Sequence, residues 1–346
     1  MKKTRVAING FGRIGRAFYK LARTRPELEI VAVNDLGDPE NMAYLLKYDT
    51  AYGKADFDVE VVGGDEPGFI VGGQKVVLVQ EKEPTNLPWA KYDIDIVVES
   101  TGFFTSPEKA NVHLTQGAKR VVVTAPMKGE ALSEVPCVTA LMGFNDGELS
   151  GARISSNASC TTNAASPVVC ILNEKIGIEK AILNTTHAYT GTQKIVDGPG
   201  GKDLRGGRAG AQNMVPSSTG AAISVTEVVK DLKGKFDGIS IRVPVIAGSI
   251  ADVTFIAKRN TSVEEVNQIL RDAARDTRWA GIFTVSEEPI VSSDIVGELY
   301  GSIADLDLTR VVDGNLVKVM AWYDNEMGYT NTLVKHVVRV AEYLNK

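Results

Sequence analysis

The chain has few of the residues that build metal sites, disulfide scaffolds or membrane spans. Its 346 residues include only three cysteines and three histidines. This small, odd number of cysteines excludes a disulfide-rich scaffold and fits a reducing compartment. The sequence has no CxxC pair and no HExxH segment, the spacings typical of zinc sites, so we expect no metal. The most apolar stretch, residues 243–257, contains Ser249 and Asp252 and is shorter than the roughly 20 apolar residues of a membrane span.

Charge and the N-terminal composition narrow the class of protein further. Lysine and arginine total 38 against 43 acidic residues, a net charge of −5. Because no dense basic cluster is present, nucleic acid is expected only as a secondary partner. After Lys2, Lys3 and Arg5, only three apolar residues precede Asn9, whereas a signal peptide needs an apolar core of roughly 7–15 residues. We therefore expect a cytoplasmic protein without a membrane partner.

Length and pattern predict two domains, of which the first is an α/β domain. A prior of roughly one domain per 150 residues suggests two. In the first third, runs rich in Val and Ile alternate with helical patterns, which is typical of a parallel sheet covered on both faces. Two Gly-Gly pairs within residues 57–79 predict hairpins inserted into this unit. The predicted strands are residues 5–9, 28–34, 75–79, 94–99 and 120–124, and the predicted helices are 14–24, one beginning near Pro39, and 107–116.

The second half of the chain has longer strands and one long glycine-rich loop. Residues 189–213 contain seven glycines, and a loop of this length in a compact domain is usually functional. The pattern favours an α+β domain with a mainly antiparallel sheet. We predict helices at 164–176, 220–232 and 263–276, strands at 179–188, 238–245 and 251–259, a hairpin turn at Asp313-Gly314 and a final helix.

A GxGxxG segment lies where a dinucleotide-binding turn needs it. Gly10, Gly12 and Gly15 follow a predicted strand and open a predicted helix, and Asp35 lies 20 residues after Gly15. The glycines permit a tight turn, close approach of a pyrophosphate and close packing of helix on strand, while the helix N-terminus favours phosphate. The Asp35 carboxylate would accept hydrogen bonds from a ribose and repel a 2′-phosphate. The pattern therefore predicts a Rossmann domain that binds NAD rather than NADP.

Cys160 is the candidate nucleophile. It lies in a polar segment, residues 156–163, at a predicted boundary between loop and helix, whereas Cys137 and Cys170 have apolar neighbours. A helix N-terminus stabilises a thiolate, and a nearby imidazolium would lower the pKa of the thiol further. The sequence therefore predicts a lowered pKa for Cys160. A capping segment with an incidental cysteine remains the alternative interpretation.

His187 is the natural partner for Cys160. It ends a predicted strand, and the helix and strand between the two residues are enough to return the chain to the same sheet edge. A Cys-His pair supports nucleophilic catalysis and proton transfer, although a structural histidine at a strand end remains open. His113, expected to be partly exposed in a helix, and His336, in the final helix, are interpreted as structural.

Positive charge and helix starts in the second half suggest sites for anions. Arg242 stands in an otherwise apolar strand, which predicts either an internal salt bridge or contact with a ligand anion. Residues 217–221 precede a predicted helix and suit a cap or an oxyanion site. Lys194, Arg205 and Arg208 add positive charge to the glycine-rich loop. Two phosphate sites near a thiolate would suit phosphate-dependent oxidation of an aldehyde.

Six segments carry a family resemblance: residues 6–16, 156–163, 187–190, 216–222, 242–244 and 322–326. In these segments the sequence resembles phosphorylating glyceraldehyde-3-phosphate dehydrogenase. The resemblance implies oxidation of D-glyceraldehyde 3-phosphate to 1,3-bisphosphoglycerate with NAD and inorganic phosphate, in a homotetramer. It also implies a dinucleotide-binding domain of residues 1–159 and 325–346, to which the C-terminal helix returns, and a catalytic domain of residues 160–324. The similarity extends over essentially the whole chain.

The resemblance also implies roles for individual residues. Cys160 would carry a thiohemiacetal and then a thioacyl intermediate, with His187 as acid and base. The implied dinucleotide contacts are Gly10, Phe11, Gly12, Arg13, Ile14, Gly15, Asp35, Lys82, Thr124, Asn325 and Tyr329. The residues implied to hold the substrate phosphate are Thr190 and Arg242, and those for the attacking phosphate are Ser159, Thr161, Thr219 and Gly220.

Four positions of the chain depart from the residue pattern of this family. Ala164 stands where a second cysteine is frequent, and Gly206, Ile223 and Met327 replace commoner residues.

Three other functions are alternatives. The nearest one is that of erythrose-4-phosphate dehydrogenase, a close relative. A thiol hydrolase that uses Cys160 and His187 would not require NAD. A non-catalytic NAD-binding or RNA-binding scaffold would not require the Cys-His pair.

Overall fold

The computed structural model describes residues 2–200 and 203–346, and the chain divides into two compact units. The first unit comprises Met1–Leu141, Asn145–Ala158 and Leu333–Lys346. The second comprises Met142–Phe144 and Ser159–Thr332. No helix within the described ranges is both long and apolar enough to cross a bilayer.

The first unit is built on a nine-stranded sheet in its described part. Its strands are β1 (Thr4–Asn9), β2 (Leu28–Asn34), β5 (Val59–Val62), β6 (Gly68–Val71), β7 (Gln74–Leu78), β8 (Ile96–Glu99), β9 (Arg120–Val123), β10 (Cys137–Thr139) and β11 (Ile154–Ser156). Two short strands, β3 (Tyr48–Asp49) and β4 (Gly53–Lys54), form a separate hairpin. The helices of this unit are α1 (Arg13–Ala22), α2 (Pro39–Lys47) and α3 (Pro107–Thr115).

The order of the strands creates a crevice at β1. The sheet runs β10-β11-β9-β8-β1-β2-β7-β6-β5, and only the β5-β6-β7 edge is antiparallel. The chain leaves β1 towards β2 on one side, and β8 pairs with β1 on the other. In an open parallel sheet, ligands bind at the carboxyl ends of the strands where the order reverses. The predicted Rossmann domain and the predicted hairpins within residues 57–79 are both confirmed.

Local signals in the sequence explain where these helices begin. Helix α2 has Pro39 in its first turn, and the Asp38 carboxylate accepts a hydrogen bond from the Asn41 N–H at 2.8 Å. Helix α3 begins in the same way at Pro107, capped by the Ser106 hydroxyl. Such caps satisfy backbone donors that have no partner inside the helix. The carboxyl ends of the strands are therefore followed by well-defined helix starts.

The second unit is α+β, with a seven-stranded sheet in its described part. Its helices are α4 (Cys160–Lys175), α5 (Ala221–Val228) and α6 (Val263–Ala274). Its strands are β12 (Ile178–Ala188), β13 (Val215–Ser218), β14 (Phe236–Val243), β15 (Ser249–Ala257), β16 (Phe283–Ser286), β17 (Ser302–Val312) and β18 (Leu316–Tyr323). The final helix, α7 (Met327–Leu344), belongs to this unit as far as Thr332 and to the first unit from Leu333.

The sheet of the second unit is mainly antiparallel, as predicted, and covered by helices on one face. Its order is β13-β14-β12-β15-β18-β17-β16, and β12-β14 and β16-β17 are its parallel pairs. The core combines Leu183 and Val253 from the sheet with Val168 of α4, Val225 of α5 and Leu270 of α6. Because successive side chains of a strand point to opposite faces of the sheet, the residues next to Leu183 and Val253 in their strands face away from the helices.

Several details of the predicted elements are wrong. Helix α4 begins at Cys160 rather than at 164, because the Ser159 hydroxyl caps it. Strand β13 occupies residues 215–218, part of which was expected to be a helix cap. The helix predicted to reach residue 232 ends at Val228 and is followed by a separate 3-10 turn, Lys230–Leu232. His113, expected to be partly exposed, is completely buried because it pairs with Glu99 inside the first unit.

Candidate active site

Cys160 opens helix α4 of the second unit. Ser159, the preceding residue, accepts a hydrogen bond from the Thr162 N–H at 3.1 Å through its hydroxyl, which fixes the start of the helix. The cysteine is only partly exposed. Thr161 is buried beside it, and its hydroxyl and amide both lower the pKa of the thiol. The helix start therefore presents the sulfur together with backbone donors.

His187 lies next to Cys160. Its Nε2 is 3.4 Å from the sulfur, within hydrogen-bond distance. His187 is the penultimate residue of β12, and strand register places it directly opposite Arg242 of the parallel strand β14. Residues opposite each other in neighbouring strands share one face of the sheet. The sheet therefore brings an imidazole and a guanidinium together beside the thiol.

The other ring nitrogen of His187 has two neighbours. Its Nδ1 lies 2.6 Å from the carbonyl oxygen of Ala188 and 2.5 Å from Nη1 of Arg242. Burial, and next the positive charge of Arg242, lower the pKa of His187 from 6.5 to about 3. The imidazole is therefore neutral near pH 7 and can accept a proton.

The predicted lowering of the pKa of Cys160 is wrong for this structure. Burial raises the pKa of the thiol, and this effect exceeds the opposing effects of Arg242 and of the Thr161 hydroxyl and amide. The prediction relied on the helix N-terminus and on a positively charged His187, whereas burial lowers the pKa of His187 to about 3. Burial therefore opposes the formation of a thiolate–imidazolium pair at this site.

Tyr323 joins the two sides of this site and was missed by the sequence analysis as a site residue. Its hydroxyl contacts the hydroxyls of Thr161, at 2.9 Å, and Thr185, at 2.8 Å. Its ring packs edge-on against the His187 ring, with centroids 5.9 Å apart. Thr161 and Thr185 are 162 and 138 residues away in the chain. No local pattern around Tyr323 could have indicated these contacts.

Among the residues that the structure describes, Arg242 has no carboxylate within ion-pair distance, and it faces a polar cavity. Its guanidinium contacts His187 Nδ1 and, at 3.4 Å, the Ala188 carbonyl oxygen. It lines a cavity of about 380 Å³ together with Lys194, Gln193, Ser217 and one acidic residue, Asp203. Two cationic side chains and several hydrogen-bond donors in one cavity suit an anionic ligand. This arrangement favours ligand contact over the internal salt bridge that was the alternative for Arg242.

The remaining residues predicted to hold phosphate belong to three segments of the second unit: the loop after β12, the start of α4 and the start of α5. Thr190 lies in the loop after β12. Its hydroxyl is 3.0 Å from the hydroxyl of Thr192, which lines the cavity beside Arg242. Ser159 and Thr161 stand at the start of α4. Thr219 and Gly220 stand at the start of α5, where the Thr219 hydroxyl accepts a hydrogen bond from the Ala221 N–H at 3.1 Å.

Four of the predicted dinucleotide residues line a cavity of about 320 Å³ at the carboxyl ends of β1, β2 and β8. Gly10 has a φ of 93°, and a Cβ there would lie 2.7 Å from the Thr101 backbone nitrogen. At Gly12 an added Cβ would meet no atom within 4 Å, so the turn is open to a ligand on this side. The predicted residues lining the cavity are Gly10, Gly12, Asp35 and Lys82.

Asp35 is held in place by backbone donors. Its carboxylate accepts hydrogen bonds from the Phe11 N–H at 2.7 Å and the Gly37 N–H at 2.9 Å. A carboxylate has about four acceptor positions, so it can also accept hydrogen bonds from ribose hydroxyls. This geometry fits the adenosine end of a dinucleotide.

Seven other predicted dinucleotide residues lie outside the lining of this cavity: Phe11, Arg13, Ile14, Gly15, Thr124, Asn325 and Tyr329. Arg13 and Ile14 begin α1, and the Arg13 guanidinium contacts the Asp49 carboxylate at 2.6 Å. Thr124 directly follows β9. Asn325 and Tyr329 belong to the second unit, where the Asn325 amide oxygen accepts a hydrogen bond from the Ser249 hydroxyl at 3.0 Å.

Comparisons with known proteins agree with this geometry. Residues 4–107 match the family model "Glyceraldehyde 3-phosphate dehydrogenase, NAD binding domain", and residues 159–325 match its C-terminal domain. The chain belongs to the glyceraldehyde-3-phosphate dehydrogenase family. NAD is its cofactor.

Full-length relatives show the same relationship. The chain is 44% identical over 348 residues to glyceraldehyde-3-phosphate dehydrogenase of Clostridium pasteurianum, an alignment that covers 99% of each chain. It is 45% identical to the enzyme of Mycobacterium avium, over 98% of this chain and 99% of that one. It is 43% identical to glyceraldehyde-3-phosphate dehydrogenase 2 of Bacillus subtilis, over 98% and 97%.

Proposed function

We propose that the protein oxidises D-glyceraldehyde 3-phosphate to 1,3-bisphosphoglycerate, with NAD as hydride acceptor and inorganic phosphate as second substrate. The observation that carries this proposal is the cluster of Cys160, His187 and Arg242, in which the sulfur lies 3.4 Å from a neutral imidazole. A thiol, a base and a cation in one site are what an aldehyde bearing a phosphate requires. Family membership and the NAD site agree with it.

His187 is the acid and base in this mechanism. With the Nδ1 proton donated to the Ala188 carbonyl, the lone pair of Nε2 faces the sulfur. Nε2 takes the thiol proton as sulfur attacks the aldehyde carbon, and returns it to the carbonyl oxygen to give a thiohemiacetal on Cys160. His187 then removes that hydroxyl proton while the hydride leaves, and a thioester remains on the sulfur. NAD, when bound, supplies the acceptor for the hydride.

The second half of the reaction releases the acyl group. An oxygen of inorganic phosphate attacks the thioester carbon, the carbon–sulfur bond breaks, and the protonated His187 returns its proton to the departing sulfur. We assign the attacking phosphate to the helix starts at Ser159, Thr161, Thr219 and Gly220, since helix N-termini bind anions. The polar cavity beside Arg242, with Thr190 near its wall, is assigned to the phosphate of the substrate.

Binding of the substrate phosphate would also favour proton acceptance by Nε2 of His187. An anion on Arg242 competes with Nδ1 of His187 for the guanidinium donor. It also offsets the positive charge that lowers the pKa of His187. The phosphorylated substrate thus favours the tautomer that places the lone pair of Nε2 towards the sulfur.

We further propose that the enzyme is a homotetramer and works in the cytoplasm. Ile182 and Ile239 are more than half exposed and lie on the face of the second sheet that points away from α4. A groove of about 780 Å³ with Ile223 and Leu316 in its lining extends the exposed apolar surface. Apolar surface of this kind marks an association site, and the catalytic thiol fits a reducing compartment.

The test is NADH formation from glyceraldehyde 3-phosphate and NAD, with and without inorganic phosphate. We expect sustained turnover only with phosphate, and faster turnover than with erythrose 4-phosphate. Cys160→Ser should lose nearly all NADH formation and keep NAD binding, whereas Cys170→Ala, on the same helix but buried, should remain active. NADH formation by the Cys160→Ser variant at the wild-type rate would overturn the mechanism.

A further inference from the structure

A buried carboxylate beside the dinucleotide cavity takes no part in the chemistry above. Glu99 is the last residue of β8 and only 1% exposed. The next two residues, Ser100 and Thr101, line the cavity. We propose that Glu99 is a positioning residue for NAD, whose carboxylate fixes the polar groups that form the floor of the cavity.

Four donors converge on the Glu99 carboxylate. Its Oε1 accepts hydrogen bonds from the Thr101 N–H, at 2.9 Å, and from the Thr101 hydroxyl. Its Oε2 accepts from the Asn9 amide nitrogen at 2.6 Å and lies 2.9 Å from Nε2 of His113. A carboxylate has about four acceptor positions, so these groups use all of them.

The contact with Trp89 decides which ring nitrogen of His113 is the hydrogen-bond donor. The indole N–H of Trp89 can only donate, and it lies 3.0 Å from Nδ1 of His113. Nδ1 must therefore be an acceptor, and the ring proton is on Nε2, where it is donated to Glu99. Because all four groups around Glu99 are then donors, only a carboxylate can accept from every one of them.

The same carboxylate is connected to the walls of the cavity. The Asn9 amide oxygen accepts a hydrogen bond from the Asn34 amide at 2.8 Å. The Asn34 side chain in turn donates to the Glu81 carbonyl at 3.0 Å and accepts from the Glu81 N–H at 2.7 Å. Asn9, Asn34, Glu81 and Thr101 all line the cavity. Glu99 thus fixes the ends of β1, β2 and β8 and the segment that leads to Lys82.

The glycine-rich turn depends on the same segment. The Ser100 hydroxyl donates to the Gly10 carbonyl at 2.7 Å. The Cβ that Gly10 lacks would lie only 2.7 Å from the Thr101 nitrogen, so the backbones of the two segments are in close contact. A shift of Thr101 is therefore transmitted to the turn that binds the pyrophosphate.

The variant that tests the proposal is Glu99→Gln, in which the side chain keeps its shape and one acceptor oxygen becomes an NH₂ donor. That donor then faces two other donors, and the conflict is relieved only if Asn9 or Thr101 moves. We expect the Kd for NAD to rise about 10-fold, the size of effect that unsatisfied buried donors produce. At saturating NAD, kcat should be unchanged, because Glu99 contacts no reacting atom.

The measurement is NAD binding to the full-length protein by isothermal titration calorimetry, together with thermal unfolding. Ser155→Ala is the matched control, because Ser155 is buried in the same unit and contacts the buried His336 at 2.8 Å, but does not line the cavity. Both variants should have a lower Tm, whereas only Glu99→Gln should bind NAD more weakly. An unchanged Kd in Glu99→Gln, or an equal rise in Ser155→Ala, would overturn the proposal.

Thr101→Val keeps the test decisive if Glu99→Gln does not fold. The substitution preserves the shape of the side chain and removes one of the four donors. We expect a smaller rise in the Kd for NAD, and a Kd equal to that of the wild type would count against the role of Glu99.

Discussion

Two buried histidines should make the folded protein sensitive to mildly acidic pH. His187 is 3% exposed and His336 is completely buried. Burial, joined at His187 by the charge of Arg242, lowers the pKa of each from 6.5 to about 3. Both imidazoles are therefore neutral in the folded protein at every pH between these two values.

The sign of the effect follows from proton binding. Between pH 6.5 and about 3 the unfolded chain binds protons at these two positions and the folded protein does not. The stability is therefore fully present above pH 6.5 and is lost as the pH falls. One pKa unit corresponds to about 1.4 kcal/mol. At pH 5, each histidine thus lowers the free energy of unfolding by about 2 kcal/mol, and both together by about 4 kcal/mol.

The assay is urea unfolding at pH 7, 6 and 5, followed by circular dichroism, for the wild type and for His336→Gln. Glutamine takes up no proton in this range, so the loss between pH 7 and pH 5 should fall from about 4 to about 2 kcal/mol. Ser155→Ala removes the hydrogen bond to His336 and keeps the imidazole, so it should retain the larger pH dependence. If His336→Gln and the wild type lose the same stability between pH 7 and pH 5, the reasoning is refuted.

Two further substitutions test the proposed active site. Arg242→Gln should raise the KM for glyceraldehyde 3-phosphate about 10- to 100-fold, from the 1.5–3 kcal/mol of a charged hydrogen bond. It should also slow alkylation of Cys160 at pH 7, because Arg242 lowers the pKa of that thiol; equal KM values for wild type and variant would contradict the assignment. Tyr323→Phe leaves two buried threonine hydroxyls without this partner, so we expect about 1–3 kcal/mol lower stability in urea unfolding and a lower kcat. A fully active variant would show that the tyrosine hydroxyl does not position Cys160 and His187.

Much of the first unit could be predicted because its signals are local. Gly10, Gly12 and Gly15 can be recognised from spacing, and the strand before them and Asp35 after them complete the pattern. The caps at Asp38 and Ser106 lie within three residues of the donors that they satisfy. Likewise the hairpin at Asp313-Gly314 follows from two residues that adopt positive φ.

The candidate site depended on contacts that the sequence does not encode locally. The sequence indicates His187 by its place at a strand end and Arg242 as a charged residue in an apolar strand. Only the register of β12 against β14 places the two side by side. Tyr323 and Glu99 lack a local signal, because their partners come from distant elements. The pKa of Cys160 was predicted in the wrong direction, since desolvation depends on how many atoms surround the sulfur.

The sequence by itself determined the order of the elements, the dinucleotide turn and the identity of the reactive residues, because each depends on residues close together in the chain. Only the tertiary structure decided which of these residues meet, which ring nitrogen faces the sulfur and how strongly burial opposes charge. Those properties arise from packing between elements that lie tens to hundreds of residues apart.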